Sequence, residues 1–568
     1  MFRDSKMFLV VAVAVGLCIP LLRLGWFSGH EQYSYVLRTL EWAQEMRAGE
    51  LYPRWCPDFY GGYGSPLFLF YGPVIYGTAG LLTATFLDPF SALKLVVVVG
   101  SVLSGAGTFA LIYGETRQRD AALFGALAFL ASPYRNGNLY ARGDLGEFSC
   151  LSLLPVVLAL YRAAAHEAQP RRGRWLAVAA GTLHAVMILT HPVLGLWGSL
   201  VVGLVVLGSA IGLWASGVWR RAIPLVLAMA CAPGLVGVYI VPAIAYRSIT
   251  HTAGMVVGFY KPQDQWIAFH SLFDTHPIFW PNFLSIGYLV AAACAMSVLV
   301  LIIDFKKGRA VLGWMALTFL LVGLTLPHAR WFWEPGRVPL SQFIQFPWRL
   351  LGPASLTASV AMGIGFAYAS ERLAEPLKAG LAIAFPTAFL LLVTWPFLTS
   401  TELPQTGIPN DPDSIRAGLY SATDANEYLP LGASLPSAPR GELVIKHHGA
   451  AVQFTSSDGS RHSLGVNAKR GNAELTLGVY DFPGWKVKTL TGPADAKLVA
   501  DEQGLLKVQL PVPGEYRLRV SYGASPAGVL GGSLSVLSAL ALCLIAARGS
   551  RFWPLRIPKN NATAGGAT

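Results

Sequence analysis

Glu31 follows His30 in a long polar stretch, GHEQYSYVLRTLEWAQEMRAGELYPRWCPDFYGGYGSPLFLFYGP, that runs from Gly29 to Pro73 directly after an apolar segment. A carboxylate at a membrane surface is partly desolvated, and this raises its pKa toward the range of a general base. The plainer alternative is a loop acid paired with Arg38, one or two helical turns further on, and the residues leave both readings open. The same stretch holds Arg54, Trp55, Asp58, Tyr60 and Tyr63. An arginine there can fork onto a phosphate or carboxylate. The rings can stack on sugars or lie at the headgroup level. Gly61, Gly62 and Gly64 permit tight turns, but the Lys-Ser/Thr ending of a P-loop is missing. Ordering so long a polar segment costs conformational entropy, so it should pack onto the helices.

A second cluster is Tyr140-Ala-Arg142-Gly-Asp144-Leu-Gly-Glu147. Asp144 and Glu147 are three residues apart, so one helical turn puts them on one face beside Arg142. That group could bind a hydroxyl, a metal or a phosphate. It is equally a helix start, with Asp144 as cap and Glu147 reaching back, and both readings can hold together. Gln345-Phe-Pro-Trp348-Arg349 places an arginine at a membrane boundary, where it suits a lipid phosphate or simply snorkels. His191, in LTHP at a helix end, is equally ambiguous, and His447-His448 mark a strand better than a metal site. HExxH, CxxC and Gly-x-Ser-x-Gly patterns are absent, which argues against a zinc protease, a redox enzyme and a serine hydrolase.

The elements that must position these residues are membrane helices. The chain has 568 residues, 54% hydrophobic and 13% charged, with a mean hydropathy of +0.49. Its apolar runs are long enough to cross hydrocarbon. The net charge of +12 does not indicate nucleic acid. Lys and Arg collect in short loops: Arg3 and Lys6; Arg117 and Arg119; Arg171, Arg172 and Arg174; Arg220 and Arg221; Lys306, Lys307 and Arg309; Arg372 and Lys378; Arg548 and Arg551. This is the positive-inside pattern. The six cysteines are scattered and form neither a disulfide framework nor a zinc spacing.

Alternating basic loops and apolar windows of roughly 20 residues give about twelve spans with both termini inside. They fall near 7–27, 91–113, 119–135, 149–165, 175–191, 193–214, 222–245, 284–303, 310–327, 351–370, 380–399 and 527–547. The first is a retained helix without a cleavage site. Segment 66–87 lies in the outside loop 28–90 as a re-entrant or surface element. The other outside loops are 136–148, 246–283, 328–350 and 400–526. The last is a domain. From about 435 it shows alternating strand patterns (ELVIKHH, AVQFTSS, AELTLGVY, WKVKTL, LLKVQLP, YRLRVSY) separated by turn formers. The expected organisation is a membrane domain over 1–399, a domain over 400–526 with a β-sandwich from about 435, and a final helix and tail over 527–568.

Taken in order, several of these pieces resemble the GT-C superfamily of polytopic glycosyltransferases, and within it the YfhO-like bacterial branch, some of whose members carry a 6-pyruvoyl-tetrahydropterin synthase-related label. The pieces are His30-Glu31, Leu51-Tyr-Pro-Arg54-Trp55 with Gly62-Tyr-Gly64-Ser-Pro66, Tyr140 through Glu147, Phe346-Pro-Trp348-Arg349, Glu427-Tyr-Leu-Pro430, and Phe482-Pro-Gly-Trp485-Lys486. The resemblance covers most of the chain. Two departures stand out. The family's first-loop acid is usually Asp and here is Glu31, and the His that usually follows four residues later is Tyr35. Nothing pterin-binding is visible.

The resemblance implies a GT-C-like polytopic α-helical fold of about twelve spans with a small extracytoplasmic β-sandwich, in a bacterial cytoplasmic membrane. It implies an inverting transfer of a sugar from a polyprenyl-phosphate donor to a glycan, lipid or protein acceptor of the cell envelope. Glu31 would be the base. Asp144 and Glu147 would orient the acceptor or hold a divalent cation, Mg or Mn. Arg349, with Arg54 or Arg142, would stabilise the leaving lipid phosphate. His30, Tyr35, Arg38, Trp55, Asp58, Tyr63, His191 and Trp348 complete the expected substrate-binding set. The rival readings are a transporter or flippase for a lipid-linked glycan, which would need charges or broken helices near the midplane, and a non-catalytic envelope assembly factor.

Overall fold

A computed structural model describes residues 5–547 apart from 27–28, 32, 275–283, 340, 372, 392–406 and 421–425. The membrane part is all helical. Its helices are α1 (Ser5–Gly16), α2 (Ser34–Arg47), α3 (Pro73–Thr85), α4 (Pro89–Thr116), α5 (Arg119–Leu130), α6 (Pro133–Gly137), α7 (Leu145–His166), α8 (Pro170–Thr190), α9 (Pro192–Ala215), α10 (Ala222–Leu235), α11 (Gly237–Tyr246), α12 (Gly287–Ile303), α13 (Phe305–Gly323), α14 (Leu351–Ala369) and α15 (Glu375–Phe389). A short α16 (Pro412–Ala417) precedes the strands, and α17 (Pro526–Ala547) follows them.

The helix starts are written locally. Asp88 caps α4 by accepting from the N–H groups of Phe90 and Ser91, and Pro89 occupies the first turn, where its missing N–H costs nothing. Pro170 and Pro192 open α8 and α9 in the same way. Small residues let the central helices touch. A side chain on Gly125 of α5 would meet the Ser359 carbonyl at 2.7 Å and the Gly363 Cα at 3.3 Å. α14 is buried along its membrane-length segment, as a helix packed on all sides in a bundle must be.

The expectation of about twelve spans is corrected. Among the described residues, six helices are long and apolar enough to cross: α4, α7, α8, α9, α14 with the turn before it (Pro347–Ala369), and α17. The number reaches eight if each of two bent pairs is one span. One pair bends by 50° between Leu235 and Gly237, and the other by 81° between Gly323 and Pro327. Hydropathy windows overcounted because they do not sense helix continuity. The window 7–27 contains α1, only 12 residues long, and then a 3-10 turn at Ile19–Leu22 opened by Pro20. The window 119–135 holds the 12-residue α5, and that at 284–303 the 17-residue α12. The expected span 380–399 lies partly, and the tail 548–568 wholly, outside the described residues.

The β-domain consists of β1 (Val444–His448), β2 (Ala450–Asp458), β3 (Arg461–Ala468), β4 (Ala473–Tyr480), β5 (Trp485–Thr491), β6 (Lys497–Ala500), β7 (Leu505–Leu510) and β8 (Gly514–Tyr522). They form two antiparallel four-stranded sheets, ordered β1-β4-β7-β6 and β2-β3-β8-β5. β8 alternates buried and exposed positions, while β4 is buried nearly throughout. The first polar loop covers that extra surface. Trp55 packs edge-on to Trp485 at 5.3 Å and against Tyr522 at 5.1 Å, and Tyr63 lies against Tyr480. Backbone bonds run from Tyr480 N–H to the Tyr63 carbonyl (2.9 Å) and from Arg440 N–H to the Gly61 carbonyl (2.8 Å). Gly64, at φ +87°, permits the seam, because a Cβ there would fall 2.3 Å from the Trp55 indole nitrogen.

Candidate functional site

One cavity of about 550 Å³ opens where the first polar loop, the α6–α7 turn, the α8–α9 junction and the segment before α14 converge. Asp144 is the N-cap of α7, and its Oδ1 accepts from Glu147 N–H at 2.9 Å and from the Tyr35 hydroxyl at 3.0 Å. That hydroxyl in turn accepts from Gly146 N–H at 2.8 Å. Arg142 donates to Asp144 Oδ2 at 3.2 Å, to Glu147 Oε2 at 2.7 Å and to Asn138 Oδ1 at 2.6 Å, and its guanidinium lies 4.7 Å from the Trp348 ring centroid. Arg349 reaches the same Glu147 oxygen at 3.1 Å and is held by the Ile344 carbonyl and Gln345 Oε1, both at 3.0 Å. Tyr134 donates to the other Glu147 oxygen. Glu147 is fully buried with both oxygens engaged, so it stands behind the cavity wall as the brace that holds Arg142 and Arg349.

Glu31 faces this network from the first loop. Its N–H bonds to the Arg142 carbonyl at 3.1 Å, and Gly29 abuts Gly143 so closely that a Cβ would lie 3.1 Å from its nitrogen. Glu31 Oε2 is 3.6 Å from Arg38 Nη1, and a third of its side chain (33%) remains accessible. Arg38 also donates to the Tyr76 hydroxyl at 2.9 Å and lies 3.9 Å from the Tyr71 ring centroid.

The two carboxylates are pushed apart in acidity. Burial and the Asp144 charge raise Glu31 to about 7 against the pull of Arg38, Arg142 and Arg349. Burial would raise Asp144 too, but His191, Arg142 and Arg349 outweigh it and hold that carboxyl well below the usual range. Burial lowers the pKa of His191. His191 Nδ1 accepts from Leu194 N–H at 3.0 Å, so in the neutral ring Nε2 carries the proton, and it faces Asp144 Oδ2 at 3.9 Å.

Asp144, Glu147 and His191 bring ligand atoms within 4.8 Å of one another and form a candidate divalent-cation site. Two carboxylates and an imidazole are a suitable donor set. Arg142 and Arg349 already engage the same carboxylate oxygens, so an ion would enter by displacing these bonds and freeing the His191 ring from its cap.

His30, Glu31, Tyr35, Arg38, Arg142, Asp144, His191, Trp348 and Arg349 thus line one cavity. Arg54, Trp55, Asp58 and Tyr63 do not line it. They belong to the seam with the β-domain, where Asp58 pairs with Arg416 of α16 and Arg54 lies over the Tyr52 ring. Sequence reasoning did not single out Tyr71, Tyr76, Phe259, Tyr260 and Tyr428 as lining residues, or Glu427 as a cavity acid. The Phe-Tyr-Gly-Pro start of α3 carried a signal for Tyr71, since Gly72 sits where a Cβ would strike the Leu189 carbonyl at 2.3 Å. Glu427 and Tyr428 belong to the Glu427-Tyr-Leu-Pro430 piece of the resemblance, whereas nothing local marks Tyr76, Phe259 and Tyr260.

No family model matches the chain, and no curated protein matches its sequence. Solved structures that are similar in part include the following two. The Archaeoglobus fulgidus oligosaccharyltransferase in its apo form aligns over 75% of this chain and 57% of its own, with 13% identity and a TM-score of 0.40. The arabinofuranosyltransferase AftD from Mycobacteria aligns over 69% of this chain and 26% of its own, with 16% identity and a TM-score of 0.40. The chain therefore spans little more than half of one and about a quarter of the other, and likeness at this level decides nothing about chemistry.

Proposed function

We propose that this protein is a membrane glycosyltransferase that moves a sugar from a polyprenyl-phosphate carrier to an acceptor hydroxyl at the outer face of a bacterial cytoplasmic membrane. The observation that carries the reading is the convergence of two carboxylates, Glu31 and Asp144, and two arginines, Arg142 and Arg349, on one cavity of about 550 Å³. Glu31 is raised to about 7 while Asp144 is held ionised, the division of labour of a base and an electrostatic anchor. Arg142 and Arg349 stand beside them, suited to a phosphate.

In the proposed reaction Glu31 takes the proton of the acceptor hydroxyl. The resulting oxygen attacks the anomeric carbon from the face opposite the phosphate. The bond from that carbon to the phosphate oxygen breaks, its electron pair leaves with the lipid phosphate, and the configuration inverts. Arg349 and Arg142 meet the charge that develops on the departing oxygen, already aimed by Glu147 and therefore without reorganisation. A divalent cation held by Asp144, Glu147 and His191, in place of the bonds these carboxylates make to Arg142 and Arg349, would supply neutralisation of phosphate charge by another route. In this reading the cavity and the β-domain lie on the outer side, which is supported by the basic residues Arg117, Arg119, Arg171, Arg172, Arg174, Arg220 and Arg221 lying at the helix ends away from the cavity.

The test is transfer by the purified protein across a panel of polyprenyl-phosphate sugars and envelope acceptors, beside Glu31→Gln. Transfer by the wild type that falls by about 10² to 10⁴ in the variant supports the reading. Normal turnover by Glu31→Gln removes Glu31 as the base.

A further inference from the structure

One cavity-lining acid takes no part in this mechanism. Glu427 is 7% exposed and comes from the strap that leads into the β-domain, far along the chain from the other lining residues. The strap is clipped to the segment after α11. Leu429 O accepts from His251 N–H at 3.3 Å, Leu431 N–H donates to the Ile249 carbonyl at 2.9 Å, and Thr250 and Pro430 form an isolated bridge. Asn426 turns the chain at φ 51°. Tyr428 stacks on Phe70 at 4.7 Å, meets Tyr71 edge-on at 5.5 Å, and directs its hydroxyl at Met255 Sδ. Glu427 is therefore fixed next to Tyr428 on the wall that Tyr71 and Arg38 also line, with the Arg38 guanidinium 3.9 Å from the Tyr71 ring centroid.

The cavity thus has two unlike ends. At one, Arg142 and Arg349 lie against Trp348 and Phe346. At the other, Glu427 lies among Tyr71, Tyr428 and Phe70. The first end offers two guanidinium groups to a phosphate, and the second offers a carboxylate and ring faces, with Arg38 lying against Tyr71. A carboxylate accepts hydrogen bonds through two oxygens, a match for neighbouring hydroxyls, and tyrosine faces suit the apolar face of a sugar ring.

We infer that Glu427 is an acceptor-recognition residue, binding the hydroxyl groups of a sugar-bearing acceptor laid against Tyr71 and Tyr428. The word acceptor rests on the transferase reading, whereas the sugar subsite stands on the cavity itself.

The experiment measures two probes on purified wild type, Glu427→Gln and Glu427→Asp. Methyl glycosides of hexoses and pentoses are followed by saturation-transfer NMR, and farnesyl phosphate by its dissociation constant. The expected result is glycoside binding by the wild type, weakened about ten- to a hundred-fold in Glu427→Gln and partly restored in Glu427→Asp. Farnesyl phosphate affinity stays unchanged in both variants, which also reports that they fold. Glycoside binding by Glu427→Gln equal to the wild type overturns the inference. So does a wild type that binds farnesyl phosphate and no glycoside. A wild type that binds glycosides through Glu427 but neither binds farnesyl phosphate nor transfers sugar supports the subsite and removes the transferase reading.

Discussion

Helix α2 carries two acid-and-arginine networks only two turns apart, and they have opposite fates. Towards its start, Tyr35 and Arg38 face the cavity of about 550 Å³ with Glu31 and Asp144. Towards its end, Glu41 and Glu45 enter the seam with the β-domain, where a void of only about 60 Å³ remains. There Glu45 accepts from Ser460 N–H at 2.8 Å and from its hydroxyl, Asp58 pairs with Arg416, and Glu41 accepts from Asp58 N–H at 3.3 Å. Burial raises Glu45 to about 7, as it does Glu31, and also raises Glu41 and Asp58. Similar residues with similar shifts do different work because of what lies opposite them. At the seam it is the protein's own backbone and an arginine, and the network docks a domain. At the cavity it is open volume, and the network is left for a ligand. A perturbed carboxylate alone does not mark a site.

The contrast can be broken by mutation. The largest expected effect on stability is at Glu147→Ala, which strands Arg142 and Arg349 in a buried setting and should cost about 3–5 kcal/mol, read as a lower midpoint of thermal unfolding. A midpoint like the wild type's would mean that Glu147 is no brace. Glu31→Gln should do the reverse, removing about 10² or more of turnover while leaving the midpoint nearly unchanged.

Glu45→Gln sharpens the comparison through pH. The Glu45 pKa is raised from 4.5 to about 7. The carboxyl therefore costs the fold nothing below the unfolded value, and a penalty grows as pH rises from that value through the folded one, levelling off above about pH 7 at about 3 kcal/mol. Glu41 and Asp58 shift in the same direction and add to it. Amide protection at Ser460 and along α2, corrected for the intrinsic base-catalysed exchange rate, should be higher at pH 5 than at pH 8. Glu45→Gln should flatten that difference without altering transfer. Corrected protection that rises with pH would contradict the assignment. The smallest effect is expected from a chelator. Because Arg142 and Arg349 already neutralise the site, EDTA should lower turnover by less than about tenfold, and a complete loss would assign the phosphate charge to an ion.

Much of this architecture was legible in the sequence where one element decides it. The Asp88-Pro89, Pro170 and Pro192 starts announce long helices, and six of the expected spans correspond to single helices of the required length. Of the eight strands, β3 (RHSLGVNA) was not among the patterns read, because Ser, His, Gly and Asn hide its buried face. The four-residue β6 was too short to register. What composition could not distinguish was the role of Arg54, Trp55, Asp58 and Tyr63. Their chemistry suits a sugar phosphate, but it equally suits a polar domain seam, and only tertiary packing selects between the two. Glu427 reaches the cavity through a strap whose course is set by pairing with residues 249–251, information that no local pattern holds.

The most direct test of the central claim is the pH dependence of single-turnover sugar transfer from a polyprenyl-phosphate donor, measured on wild type and Glu31→Gln. A base with its pKa raised to about 7 predicts a wild-type rate that climbs through that pH and levels above it, and a variant slowed at least about 100-fold with this limb gone. A variant that turns over like the wild type, with the same rising limb, would contradict it.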